Sequence, residues 1–99
     1  MIRSVVWSSR AKNDYFEILE YLDKHWNRNV TIRYIERVDT VISTIQASPQ
    51  LFPTSSDFKK VRRCVVTKHT TLYYRIINDK IQLITLFDSR QNPEKRNLS

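Results

Sequence analysis

The residues best able to bind or act on a negatively charged molecule are arginines in the second half of the chain. Arg62 and Arg63 lie in the β-type run VRRCVVT, and Arg75 lies in TLYYRII, two positions after Tyr73. Guanidinium groups pair with phosphate or carboxylate and an aromatic ring stacks on a base, so this set is typical of a nucleic-acid contact surface. The plainer interpretation is that Tyr73 covers an open sheet face while Arg75 pairs with a carboxylate.

The segment LFDSRQNP, residues 86–93, is the most distinctive stretch of the sequence. It places Asp88, Arg90 and Asn92 where a strand ends, and Pro93 stops the strand because proline donates no hydrogen bond to a ladder. We expect Asp88 to accept hydrogen bonds from Arg90 or from an arginine of the adjacent strand. The three polar side chains are therefore candidates for binding a partner at the rim of a sheet.

The composition excludes several classes of catalytic and cofactor site. The chain has no glycine, which excludes the glycine-rich loops that cradle phosphates. Its one cysteine, Cys64, can form neither an internal disulfide nor a metal cluster, and it suits a small core residue better than a nucleophile. His25 and His69 have no second ligand at metal-binding spacing. We therefore predict no metal and no cofactor.

The net charge of +7 is concentrated at one end of the sequence. Residues 1–57 carry seven basic and seven acidic groups, whereas residues 58–99 carry ten basic groups against Asp79, Asp88 and Glu94. Such an asymmetry indicates an acidic partner, either nucleic acid or an acidic polypeptide. A solvated basic face without a partner is the alternative.

Length and hydropathy favour one domain, residues 1–99, with a core of modest size. The apolar runs are far shorter than the roughly 20 residues that cross a bilayer, and the first ten residues do not resemble a signal peptide. With a single cysteine, these features predict a soluble cytoplasmic protein that is not bound to a membrane.

The elements that must position these side chains follow from hydrophobic periodicity. Ser8 or Ser9 and Asn29 are candidate helix caps, and Pro49 ends the second helix. We predict a strand over residues 2–7, helices near residues 9–25 and 29–47, a loop over residues 49–60 that tucks Leu51 and Phe52 into the core, and strands over Val61–Thr67, Thr71–Ile77 and Ile81–Phe87.

This order, β-α-α-β-β-β, predicts an α+β fold in which a two-helix hairpin packs on one face of an antiparallel sheet. Alternation in the middle strand of the final three directs Leu72, Tyr74 and Ile76 toward the helices. Tyr73 and Arg75 then share the opposite face of the sheet. Arg62 and Arg63 point to opposite faces, so only one of them can join a site with Arg75.

The same residues carry a resemblance to a known family. The order of elements, the proline-containing loop and the run from VRR through LYYRI and the Asn78-Asp79 hairpin to FDSRQNP resemble the RelE/ParE superfamily of type II toxins, also called plasmid stabilisation proteins. The similarity covers nearly the whole chain. It implies a single RelE/ParE-like toxin domain, silenced by a cognate antitoxin with an acidic, partly disordered segment in a toxin–antitoxin hetero-oligomer.

Members of the family that this sequence resembles act in one of two ways, and the sequence departs from the residue pattern of the RelE-like branch. RelE-like members cleave mRNA on the ribosome without metal, which here would rest on Arg63, Arg75 and Arg90 as catalytic candidates. However, Thr71 stands where that branch has a strand arginine, and the tail after Pro93 has no aromatic residue or histidine. We therefore favour the ParE-like branch, which inhibits DNA gyrase, over a RelE-like nuclease or a non-toxic basic binding module. The residues predicted to contact target or antitoxin are Arg62, Arg63, Tyr73, Arg75, Asp88, Arg90 and Asn92.

Overall fold

The order of elements predicted from the sequence is confirmed in the computed structural model, which describes residues 3–56 and 58–90. Two helices follow a short strand, and three more strands complete the domain. The elements are β1 (Ser4–Trp7), α1 (Ser9–His25), α2 (Arg28–Ala47), β2 (Arg62–Val65), β3 (Thr70–Ile77) and β4 (Lys80–Asp88). Ile2, predicted in the first strand, and the tail from residue 91 lie outside the described residues.

Both helices begin at side-chain caps. The Ser8 hydroxyl accepts a hydrogen bond from Ala11 N at 2.9 Å, and Asn27 Oδ1 accepts one from Val30 N at 3.1 Å. The second cap therefore lies two residues before the predicted Asn29. Only two residues, 26 and 27, separate α1 from α2, and so short a link folds the helices back on each other as a hairpin.

The sheet is mixed, which corrects the prediction that it is antiparallel throughout. Its order is β1-β4-β3-β2; β2–β3 and β3–β4 are antiparallel, whereas β1 runs parallel to β4. The helix hairpin returns the chain to the end of the sheet where it began, as Gln46 Nε2 donating to Arg3 O at 2.9 Å shows. Strand β2 therefore runs in the same direction as β1. The β2–β3 and β3–β4 turns each reverse the chain, so β4 runs in that direction again.

The β3–β4 hairpin closes through Asn78 and Asp79, as predicted. Asn78 has φ of 55°, a conformation that asparagine tolerates better than most residues and that a two-residue hairpin needs at its first central position. Further along, the register skips Ile84, since Tyr74 pairs with Leu83 while Tyr73 pairs with Thr85. This bulge lets Thr85 and Leu86, adjacent in sequence, both be buried.

The core lies between the helices and one face of the sheet. Leu72 and Tyr74 are fully buried, as the alternation predicts, and Cys64 is 2% exposed. The other buried apolar residues are Ala11, Ile18, Leu22, Tyr34, Val38, Val41, Ile45, Val61, Val66, Ile81, Leu83 and Leu86. Within the described ranges, neither helix is long and apolar enough to cross a membrane.

Candidate functional site

The face of the sheet opposite the helices carries three of the predicted site residues. Arg63 and Tyr73 are paired across β2 and β3, and Arg75 lies two residues beyond Tyr73 on the same face. Arg75 Nε donates to Gln82 Oε1 at 2.7 Å, so its partner is an amide rather than the expected carboxylate. Tyr73 is half-buried and meets the edge of Phe58 at 6.4 Å between ring centroids.

A shallow hollow of about 320 Å³ opens on this face. Arg75, Gln82 and Phe58 line it, together with Val61, Ile84 and Ser8. Its cationic side chain is Arg75, while Arg63 is exposed beside Tyr73. The hollow can hold a flat or apolar group next to one guanidinium, which suits contact with a surface better than bond-breaking chemistry.

Arg62 makes hydrogen bonds to the loop between α2 and β2. Its Nη1 donates to the carbonyl of Phe52 at 2.6 Å and lies 3.4 Å from that of Gln50. Tyr74 Oη donates to the carbonyl of Pro49 at 2.7 Å, so two strand side chains hold one loop. Phe52 is half-buried against the core, but the prediction that Leu51 is buried is wrong, because Leu51 is 66% exposed.

Asp88 and Arg90 form the ion pair that the LFDSRQNP segment predicts. Arg90 Nε and Nη2 donate to the two carboxylate oxygens at 3.1 and 2.9 Å, and Arg90 N donates to Oδ1 at 2.8 Å. Thr70 Oγ1 donates to Oδ2 at 2.7 Å. The Asp88 side chain is wholly buried, and that of Arg90 is 19% exposed.

These contacts govern the ionisation of the pair. Burial disfavours the charged carboxylate, but hydrogen bonds from Arg90 and Thr70 outweigh burial and leave the pKa of Asp88 below its ordinary value. The hydrogen bond from Arg90 to Asp88 raises the pKa of Arg90, against the opposing effect of burial. Both groups are therefore charged at neutral pH and fix the end of β4 against the start of β3.

Arg90 also lines a second cavity, on the helix side of the sheet, which we call the basic cleft. It measures about 240 Å³ and lies between α2 and the β2–β3 turn. Its basic side chains are Arg33 and Arg37 of α2, Lys68 of the turn, and Arg90, and His69 lies beside Lys68. Leu22, Val30, Tyr34 and Thr67 complete the wall.

Tyr34 is the buried polar residue of the basic cleft. It is 4% exposed, and the Thr70 side chain is a hydrogen-bonding neighbour of its hydroxyl. Burial raises the pKa of this hydroxyl well above its ordinary value, although the nearby Thr70 side chain acts in the opposite direction. At neutral pH, Tyr34 is therefore a neutral hydroxyl with a proton to donate.

The structure divides the predicted site residues rather than gathering them. Arg63, Tyr73 and Arg75 lie on the open face, Asp88 and Arg90 lie on the helix side, and Arg62 is bonded to a loop. Asn92 lies outside the described residues. The three catalytic candidates, Arg63, Arg75 and Arg90, therefore do not converge on one point where a reacting phosphate could sit.

Sequence reasoning missed the α2 contribution to the basic cleft. Arg33 and Arg37 are spaced i, i+4 and so share one helix face, which was the available signal. Tyr34 has the spacing of an apolar core position of α2, and this spacing alone does not indicate a place in a cleft. Asp14 of α1 is a carboxylate that no local sequence pattern marks as buried, yet it is 7% exposed and accepts hydrogen bonds from Thr85 Oγ1 and Leu86 N.

Metal and thiol chemistry receive no support from the part of the chain that the structure describes. No group of three or more His, Cys, Asp or Glu side chains there is arranged to hold a metal ion. Cys64 is buried in the core as predicted, and this burial raises the pKa of its thiol, with the positive charge of Arg37 acting in the opposite direction. A protonated, enclosed thiol is a poor nucleophile.

Solved structures share this fold at low sequence identity. A chain of the chromosomal ParDE system of P. aeruginosa superposes with a TM-score of 0.76 and 15% identity, over 88% of this chain and 96% of its own. The YoeB/ParE toxin of Agrobacterium tumefaciens gives 0.63 and 16%, over 86% and 96%. The heterotetrameric YoeB–YefM toxin–antitoxin complex of Staphylococcus aureus gives 0.60 and 12%, over 88% and 97%.

Sequence comparison decides between the families with this fold. No curated protein sequence matches the chain significantly, but the family model for the ParE toxin of the parDE type II toxin–antitoxin system matches residues 5–93. The resemblance drawn from the strand motifs and the FDSRQNP ending is thereby confirmed, on its ParE-like side. The chain belongs to the ParE toxin family of type II toxin–antitoxin systems.

Proposed function

We propose that this toxin acts by binding DNA gyrase and that a cognate acidic antitoxin holds it inactive. The observation that carries the proposal is the match to the ParE toxin model over residues 5–93. The ParE-like branch predicted from the sequence inhibits gyrase, and gyrase works in the bacterial cytoplasm, where we propose the protein acts. The antitoxin is supported by two similar structures, a ParDE system and a YoeB–YefM complex.

The placement of the arginines supports binding over nuclease chemistry. Cleavage by attack of a ribose 2′-hydroxyl needs a base, an acid and cations gathered around one phosphate. Arg63 and Arg75 lie across the sheet from Arg90, and Arg90 is already paired with Asp88. Thr71, half-buried on β3, replaces the arginine expected of the RelE-like branch. An exposed basic and aromatic face instead suits contact with a large protein–DNA assembly.

A direct assay on purified protein tests the proposal. Gyrase is incubated with relaxed plasmid and the toxin, and supercoiling is followed by gel electrophoresis. In parallel, ribosomes carrying mRNA receive the toxin at stoichiometric dose, and the mRNA ends are mapped. We expect supercoiling to be inhibited and the mRNA to remain uncut.

Variants distinguish the alternatives. If the protein were a ribosome-dependent nuclease, codon-specific cuts would appear, and Arg75→Ala or Arg90→Ala would lower the cleavage rate by about 10²–10³. Such cuts would overturn the gyrase proposal. Neither activity, together with normal growth on controlled expression in a bacterium, would favour the non-toxic binding module.

A further inference from the structure

The open face, the side of the sheet opposite the helices, carries basic side chains without neighbouring carboxylates. Arg63 and Arg75 are exposed on it, and Lys80 joins them at the start of β4. No carboxylate of residues 3–56 and 58–90 forms an ion pair with either arginine. The acidic residues of these ranges lie on the helices, in the β3–β4 turn or, for Asp88, on the helix side of the sheet. The open face therefore attracts an anionic partner.

Arg75 is oriented by the neighbouring strand. Its Nε donates to Gln82 Oε1 at 2.7 Å across the β3–β4 pair. This bond uses one of the five guanidinium N–H groups, so the four on the terminal nitrogens remain for the oxygens of a phosphate. Gln82 uses its amide oxygen in the same bond, which leaves its amide nitrogen to donate to the edge of a base. A phosphate-binding and a base-binding group therefore lie side by side.

The hollow beside these two side chains fits a flat ring. It measures about 320 Å³, and Phe58, Val61 and Ile84 form its apolar lining. The Phe58 ring meets the ring of Tyr73 at 84°, with 6.4 Å between the centroids. Aromatic side chains on a sheet or in a basic groove are what proteins use to stack unpaired bases. The hollow is therefore suited to a nucleobase.

This combination favours single-stranded nucleic acid over other anionic partners. A duplex stacks its bases on one another, so it can pair with the arginines but cannot fill the hollow. An acidic peptide can also pair with the arginines, but a nucleotide brings a phosphate and a flat ring within one unit of its chain. Of the two nucleic acids, DNA agrees with the proposed function, because gyrase acts on DNA.

We propose that the open face binds single-stranded DNA, with one unpaired base in the hollow and phosphates on Arg75 and Arg63. The base stacks on Phe58 and accepts a hydrogen bond from the amide of Gln82. Arg63 pairs with Tyr73 across the strands, so it lies diagonally from Arg75, at roughly 7–8 Å, and reaches a neighbouring phosphate. This inference rests on the proposed function, because it assigns a place on the toxin to the DNA of the gyrase complex.

Titration of the isolated toxin with labelled oligonucleotides tests the inference without gyrase. Fluorescence anisotropy follows the binding of a short thymidine strand, a DNA duplex of the same length and a uridine RNA strand of the same length. We expect the thymidine strand to bind roughly fivefold or more tightly than the duplex, because base stacking adds to the phosphate contacts. The RNA strand should bind no more tightly than the DNA strand, since the proposed contacts involve only base and phosphate.

Variants separate the base contact from the phosphate contacts. Arg63→Gln and Arg75→Gln should each reduce the slope of log affinity against log salt concentration by about 0.7, the effect of one phosphate contact on a single strand. Both arginines are exposed, so these variants should fold. Phe58→Leu should weaken binding roughly fivefold and leave the slope unchanged, because it removes a ring and no charge. Phe58→Tyr keeps the ring and should bind like the wild type.

Arg33→Gln is the matched control. It removes the same charge from an exposed position of the basic cleft, on the helix side of the molecule, so it should change affinity and slope little. An effect as large as that of Arg75→Gln would place the DNA in the cleft and overturn the inference. Equal affinity for strand and duplex, tighter binding of the RNA strand, or no binding of the thymidine strand would also overturn it.

The supercoiling assay separates failure of this inference from failure of the proposed function. A toxin that inhibits gyrase but does not bind the thymidine strand would refute the open-face site and leave the gyrase proposal standing. A toxin that binds the strand through Arg63 and Arg75 but does not inhibit gyrase would refute the target and leave the site standing.

Discussion

Asp88 is the residue whose chemistry is most tightly defined by its surroundings. It accepts hydrogen bonds from the Arg90 backbone, the Arg90 guanidinium and Thr70 while its side chain is wholly buried. These contacts stabilise the ionised form against the cost of burial, so the folded protein binds a proton at Asp88 less readily than the unfolded chain does. The residue therefore couples stability to pH.

We expect Asp88→Asn to lower the free energy of unfolding at pH 7 by roughly 1.5–3 kcal/mol, because hydrogen bonds to a charged group are lost. A lowered pKa in the folded state means that this contribution is complete above the ordinary value of 3.8. It disappears as the pH falls through the still lower folded-state pKa. Urea denaturation at neutral and strongly acidic pH measures the difference between variant and wild type.

Asp79→Asn, in the exposed β3–β4 turn, is the matched control and should change stability little at either pH. A deficit for Asp88→Asn that is as large in strong acid as at pH 7 would contradict the assigned ionisation. Asp88 would then stabilise the fold through its packing and not through its negative charge.

Between elements, Asp14 of α1 joins the helix to the bulge of β4. It accepts hydrogen bonds from Thr85 Oγ1 and from Leu86 N, the latter at 3.2 Å, and all three residues are buried. Ser8 reinforces the same junction, since its hydroxyl donates to the carbonyl of Ile84 at 2.8 Å. The bulge therefore has its irregular backbone groups satisfied by the start of the first helix.

We expect Asp14→Ala to cost roughly 2–4 kcal/mol, because two buried donors lose their acceptor. Chemical denaturation measures the loss, and hydrogen exchange of the Leu86 amide should accelerate more than that of amides in the β2–β3 pair. Asn13→Ala, exposed on the same helix, is the control. If both variants behaved alike, the bulge would be held by packing alone.

Across the whole molecule, the charge should govern how fast an acidic partner arrives. The net charge is +7, and oppositely charged surfaces raise association rates more than final affinity. Raising salt from about 50 to 500 mM shortens the screening length from roughly 14 to 4 Å. We therefore expect antitoxin association, measured by stopped-flow fluorescence, to slow steeply with salt while dissociation changes less. An association rate insensitive to salt would point instead to apolar burial or an added strand.

Features that depend on neighbours along the chain could be predicted from the sequence. The order of elements, the Ser8 cap, the stop before Pro49 and the Asn78-Asp79 turn all follow from local backbone preferences. The burial of Leu72 and Tyr74 follows from the two-residue period of a strand. The FDSRQNP ending indicated both the Asp88–Arg90 pair and the family, because pair and motif lie within a few residues.

Features that depend on which distant segments meet could not be predicted from the sequence and are seen in the folded protein. The local sequence pattern does not predict that the helix hairpin returns the chain to the end of the sheet where β1 begins. Because the chain returns there, β1 is parallel to β4. The bulge at Ile84, far along the chain from α1, gives the buried Asp14 its partners Thr85 and Leu86. The distribution of positive charge in the fold also differs from that along the sequence. Arg33 and Arg37 come from the electrically neutral part of the sequence, but they lie beside Lys68 and Arg90 because α2 packs beside the β2–β3 turn. Such placements follow from packing and strand register, which link residues far apart in sequence.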